Sequence, residues 1–410
     1  MKKLIALLMV LAMVACLFAG CKGDSKGSVY YLNFKPEFDE ALTELAKTYT
    51  EKTGVEVKIM TAASGDYNKT LTSNIGDVTI FNIGNTAALN DWDEYALDLK
   101  DTAIAKELNT DAFNLYNANG ELKALGNCYE SFGIIVNTKL LADAGYSASL
   151  KKVAEDITAR SADLGFSAFT SAGLDGSSSW RFSGHLATLP LHYEGIEDNV
   201  PTITGEHLDY FKNVWDLYIN NSTCEPSELA TKTGDESRAE FTDGKAVFFQ
   251  NGTWEYANLT GAGMTDDQLQ MIPIYCGAPE DANSGLCSGT ENRWAINAQA
   301  SKEDQQASID FLVWLVTDPD ASKVYVEQLG AVPFKNCPAS SNKFVNDGNA
   351  LLSAGKTPIS WAFNYTPNVD AWRATVVTAL TAYSAGNGDW AEVEKAFVEG
   401  WAYEYAQVNG

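Results

Sequence analysis

The sequence predicts an α/β fold in two domains. Three observations lead there. The chain is 410 residues long, which suits two domains or one large one. Its first hundred residues open on a strand–helix–strand unit, and strand-like and helix-like segments go on alternating to the end. No 20–50-residue repeat and no low-complexity block interrupts them.

The elements follow in order. Val29 to Leu32 is a short apolar strand. From Glu37 to Thr53, Phe38, Ala41, Leu42, Leu45, Ala46 and Tyr49 recur at helical spacing, and Gly54 is a C-terminal cap. Val55, Val57 and Ile59 alternate with Glu56 and Lys58, a second strand. The unit reads as βαβ with a parallel sheet. Asp77 to Phe81 is a third strand, ending in the polar run Asn82 to Asn85, and open α/β sheets bind ligands at such ends. Phe132 to Asn137 is a buried strand, Leu150 to Leu164 a helix, Phe166 to Thr170 a strand. A Gly/Ser loop, Ser171 to Ser179, precedes a helix starting near Trp180. Leu208 to Asn220 is an amphipathic helix. Glu236 to Phe241, Lys245 to Gln250 and Trp254 onward read helix, strand, helix. Ser301 to Thr317 is a long helix stopped by Asp318-Pro319 and resumed from Ala321 to Gln328. The tail from Pro367 to Ala406 is helical, broken at Gly386-Asn387-Gly388.

At the N-terminus, Lys2 and Lys3 precede an apolar run from Leu4 to Phe18 and then small residues, the order of an export signal. The run falls short of the roughly 20 apolar residues a membrane span needs. Leu17 to Cys21 resembles the bacterial lipobox, which implies cleavage before Cys21 and lipidation of its thiol. Residues 1–20 are then signal and 21–28 a lipidated, Gly/Ser/Lys/Asp-rich tether. The net charge of −25, about −27 without Lys2 and Lys3, argues against nucleic acid and against electrostatic binding to anionic lipid. Hydrophobic residues make up 45% and aromatics 11%, enough for full cores. Cys128, Cys224, Cys276, Cys287 and Cys337 are widely spaced without C-x-x-C, which argues against zinc. Cys276 and Cys287 are the nearest pair for a disulfide. Buried free thiols are the alternative, and the sequence leaves both open.

Three stretches together carry a family resemblance. Phe241 to Trp254, FTDGKAVFFQNGTW, resembles the signature F-x-x-G-K-A-A-M-x-x-x-G-x-W of the extracellular solute-binding proteins, family 1. Ala295 to Asn297 followed by Ala307 to Pro333, and Phe132 to Lys139, resemble two further segments of the same family. The second departs from it at Val136-Asn137-Thr138, where members usually have Tyr-Asn-Lys. These are the maltose-binding-protein-like receptors of ABC importers. The resemblance implies a two-lobed periplasmic-binding-protein fold of type II, with the ligand in a cleft between lobes that closes by a hinge. The N-terminal lobe is expected at 28–130 plus 293–338, the C-terminal lobe at 132–288 plus 342–410. It also implies a sugar-binding lipoprotein on the outer face of the bacterial cell membrane, held there by its lipid alone. It would act as a monomer without cofactor, metal or catalysis, delivering sugar to two permease subunits and an ATPase.

Sugars offer hydroxyls and an apolar ring face, so a site needs aromatic planes and short polar groups. By the resemblance, Trp254 and Trp372 occupy stacking positions, Glu130 accepts sugar hydroxyls at the lobe crossover, and Lys35 and Glu37 are polar contacts after the first strand. From the residues themselves, Trp180 stands at a helix start after the Gly/Ser loop, with Asp175 and Ser179 just before it. Trp361 is flanked by polar Ser360 and Asn364, and Asn85 follows the third strand. Each has a structural alternative: Trp254 packing a helix start, Glu130 in a crossover salt bridge, Glu37 as helix-start charge. Asn82 has the further role of capping the turn. Arg293 at the second crossover either reaches the cleft or pairs with an acid.

Two other classes compete. A glycosidase needs two flanking acids, and acids are too abundant here to single out a pair. His185, His192 and His207 show no zinc-hydrolase spacing, and no G-x-S-x-G elbow or P-loop occurs. A polyamine receptor would set acids such as Glu37, Glu130 and Asp175 beside the tryptophans.

Overall fold

A computed structural model describes residues 26–409 apart from 63, 112, 148–149, 172–173, 176–177 and 291. The expected signal, Cys21 and residues 22–25 lie outside the described residues, as do the side chains of Glu37 and Trp180. No described helix is long and apolar enough to cross a membrane.

The strands are β1 (Ser28–Asn33), β2 (Glu56–Thr61), β3 (Ile80–Asn82), β4 (Leu115–Tyr116), β5 (Leu122–Gly126), β6 (Glu130–Asn137), β7 (Ser167–Phe169), β8 (Ala246–Gly252), β9 (Leu269–Ile272), β10 (Ser284–Gly289), β11 (Arg293–Ile296) and β12 (Thr357–Ser360). They form two sheets. The first is ordered β2-β1-β3-β11-β5-β4, the second β12-β10-β6-β8-β7, with β9 also on β6. β1 pairs in parallel with β2 and β3, as the strand–helix–strand unit predicts. Strand β11 enters the first sheet antiparallel between β3 and β5, with Trp294 opposite Asn82 and Leu125.

Both sheets are covered on both faces, which is why their strands read as unbroken apolar runs. In β1, Val29 and Tyr31 enter one core and Tyr30 and Leu32 another. In the second sheet Ile134 and Phe248 enter one core, Ile135 and Phe249 another. No cluster spans the two sheets, so each lobe of this two-lobed α/β fold has its own interior.

The helix Asp39–Thr53 buries Leu42, Leu45, Ala46 and Tyr49, the expected stripe, and Gly54 closes it. Asp318 ends one helix and caps the next, its carboxylate accepting the N–H groups of Asp320 and Ala321. The expected helix from Leu150 to Leu164 is two, Leu150–Ala159 and Ser161–Leu164. All five described cysteines are free thiols, so Cys276 and Cys287 are unlinked here. Burial pushes the Cys276 thiol up to about 12.

Candidate functional site

β6 starts at Glu130, close behind the end of β5 at Gly126, so this is where the chain passes from the first sheet to the second. Lys35, just past the C-terminal end of β1, makes an ion pair of 2.9 Å with Glu130, and both side chains are mostly buried. In the second sheet Gly252 lies opposite Phe132, so β8 also ends at that crossing. β7 runs parallel to β8. The Lys35–Glu130 pair and the Ser131–Thr253 bond set the turns after β1 and β8 beside this crossing, and several of the expected site residues lie on them or on the turns after β3 and β7.

Trp254 sits on the turn after β8, partly exposed. Its ring lies flat over Gly252: a Cβ there would come within 2.3 Å of it. Only glycine permits that approach, which gives the G-x-W spacing a physical reason. Gly289 carries the Trp361 ring in the same way, at 2.5 Å. The turn is held from three sides. The Thr253 hydroxyl accepts the Ser131 N–H, the Thr253 carbonyl accepts the Asn342 amide, and Arg238 grips Glu255 with two bonds of 2.7 and 2.8 Å.

Behind Trp254 stands a column of rings. His185 lies 5.4 Å from it. Phe132 stacks on His185 at 4.0 Å, Trp361 on Phe132 at 5.5 Å, and Phe363 on Trp361 at 5.7 Å. Trp361 is thus a support inside the lobe rather than an exposed cleft residue. Its indole N–H donates to the Cys287 carbonyl at 3.0 Å. The polar neighbours Ser360 and Asn364 suggested exposure, but they alternate with a side chain that turns inward.

Trp372 is also corrected. It is 1% exposed, set edge-on between Phe397 at 4.7 Å and Trp401 at 6.0 Å, with its N–H on the Phe397 carbonyl. Its position near a helix start did not fix which face it takes, and the face is the one packed on the last helix.

Asn85 caps the helix Thr86–Trp92, its Oδ1 accepting the Ala88 N–H at 2.8 Å. Asn82 is buried and joins Asn292 to the Phe34 N–H. Arg293 donates to the carbonyls of Phe113, Gly84 and Thr290, bracing the second crossing. Asp175 accepts the Ser178 hydroxyl and, through its carbonyl, the Ser179 N–H. Glu130 uses Oε1 for Lys35, and an ionised carboxylate accepts at more than one site.

Sequence reasoning missed His185 and Arg181. The histidine was weighed only for metal spacing, and the run Trp180-Arg181-Phe182-Ser183-Gly184-His185 after a Gly/Ser loop was the available signal. His185 is fully buried and bonded to Gln250. Burial, then the charge of Arg181, pushes it down to about 3, with the Gln250 bond opposing. The unfolded value is about 6.5, so the unfolded chain binds the proton between the two. Stability from this group is complete above pH 6.5 and is lost as pH falls toward 3, by at most about 1.4 kcal/mol per unit. Urea melts at pH 6.5, 5.5 and 4.5 should therefore fall less steeply for His185→Phe than for the parent. Equal slopes would show that His185 is not held neutral.

The sequence profile described as "Bacterial extracellular solute-binding protein" matches residues 44–351, and the chain belongs to that family. No curated protein matches it. Among solved structures, RafE from Streptococcus pneumoniae is 16% identical with a TM-score of 0.70, covering 94% of this chain and 100% of its own. The GacH receptor of Streptomyces glaucescens, solved unliganded and with acarbose, is 18% identical with a TM-score of 0.64, covering 93% and 99%. The putative binding protein MsmE from Bacillus subtilis, in an open conformation, is 13% identical with a TM-score of 0.73, covering 93% and 98%. At these identities the likeness shows the two-lobed fold.

Proposed function

We propose that this chain is the substrate-binding lipoprotein of an ABC importer. It captures a sugar or oligosaccharide between its lobes and delivers it to the permease subunits and their ATPase. The observation that carries this reading is Trp254: a partly exposed indole resting on Gly252 at the end of β8, one residue from Thr253, which bonds Ser131 next to the Lys35–Glu130 pair. A sugar, a ring of CH and OH groups, suits an aromatic plane with charged hydrogen-bonding groups on a neighbouring turn. The solved complexes of similar proteins with raffinose and with acarbose agree with it. Trp254, Glu130, Lys35 and Asn85 form the proposed contact set, with Trp180 and Glu37 on the adjoining turns. The lobes divide at the two crossings, near residues 130 and 290, and Cys21 carries the lipid that keeps the receptor beside its permease.

A cationic amine would want unpaired acids, whereas Glu130 is paired with Lys35 and Glu255 with Arg238. Thermal unfolding against a panel of saccharides and polyamines tests the reading. A saccharide at a hundred times its Kd should add about 2.7 kcal/mol. Stabilisation by polyamines alone would replace the sugar, and turnover of an oligosaccharide would replace the receptor.

A further inference from the structure

Arg181 is an unusual cation for this chain. It stands in the short helix Trp180–Gly184, its N–H on the Ser178 carbonyl, at the cleft end of the second sheet. It is 5% exposed. Its Nε has no hydrogen-bond partner, and among the described residues no carboxylate lies within ion-pair distance of its guanidinium. The acids nearby are engaged elsewhere: both Glu255 oxygens by Arg238, and Asp175 by the Ser178 hydroxyl. A buried guanidinium without a paired anion is destabilising for the free protein, and burial indeed disfavours its charge.

The surroundings suit an incoming anion. Gly234 brings backbone rather than a side chain to the guanidinium, since a Cβ there would meet Nη1 at 3.4 Å. Gly234 is also the first residue of the helix Gly234–Thr242, whose positive dipole end favours negative charge. Arg373 packs against Gly184 on the same turn. Arg238 and Arg373 also lie on this side of the lobe, but each is paired with an acid, Arg238 with Glu255 and Asp235 and Arg373 with Asp370. Beyond the screening length of about 8 Å the net charge of the chain is largely screened, so recognition of an acidic ligand falls to the groups in direct contact with it.

We propose that Arg181 recognises an anionic group on the ligand, so that the saccharide held against Trp254 is an acidic one carrying a carboxylate, of the hexuronate class. This rests on the sugar reading above. A carboxylate matches the planar guanidinium edge and gives charge-assisted bonds.

Calorimetric titration of the full chain in detergent tests it. The probes are matched pairs: galacturonate against galactose, and trigalacturonate against its methyl-esterified, uncharged form. The acidic member should bind about tenfold or more tightly, and Arg181→Gln should abolish that ratio. Equal or better binding of the neutral members by the parent protein overturns the proposal but leaves the sugar reading intact. Failure of every member to bind overturns the hexuronate proposal, and the sugar reading is then decided by the wider saccharide panel. A separate measurement needs no ligand. The unliganded Arg181→Gln protein should melt no lower than the parent, because an unpaired buried charge is gone. A drop of more than about 5 °C would make Arg181 a structural brace and overturn the proposal.

Discussion

Trp372→Ala is expected to destabilise the protein by about 3–5 kcal/mol, the usual range for emptying a buried tryptophan site. The side chain is enclosed by Phe397 and Trp401, and its loss also removes the indole N–H bond to the Phe397 carbonyl. Saccharide affinity of the folded fraction should stay within about twofold, because additivity holds for sites without shared partners. Chemical denaturation and titration under native conditions read the two quantities separately. A large affinity loss with little change in stability would put Trp372 back in the cleft.

Trp254→Ala is expected to do the reverse. Its ring is partly exposed and rests on backbone at Gly252, so the melting temperature without ligand should fall only slightly. Affinity should drop more than tenfold, taking a stacked plane as worth about 1–3 kcal/mol by analogy with ring stacking on bases. Unchanged affinity would remove Trp254 from the site. The two tryptophans were given the same role from sequence, and together the variants separate lining from core.

The difference shows what the sequence could and could not say. Unbroken apolar runs located β1 and β6, and periodic apolar stripes located the helix Asp39–Thr53 and the long helix Lys302–Thr317. The helix Ser64–Asn74 escaped notice: it is rich in Ser, Thr and Asn, and only Tyr67 and Leu71 reach the core. Strands β4, β9 and β11 are two to four residues long, too short for alternation to register. In the proposed site, Trp254 could be singled out because its glycine stands two residues before it. Lys35 and Glu130 were each legible, but not that they meet. Asn85 was read for ligand from its place after β3, but not that its Oδ1 also caps a helix. Arg181 carried no signal of its own, since a lone arginine reveals its missing partner only when its neighbours are in place.

Strand β11 has a consequence for the order of assembly. It fills the gap between β3 and β5, yet it is synthesised only after every strand from β6 to β10. Its Trp294 is wholly buried and donates its N–H to the Tyr31 hydroxyl at 2.9 Å, tying it to the first strand of the chain. A nascent chain reaching residue 290 would leave both neighbouring strands with open edges. Vectorial completion of the first lobe is therefore barred. The half made first is finished last, by a long-range closure that is intrinsically slow. Until residues 293–296 are made, the edges of β3 and β5 that β11 will cover stay open.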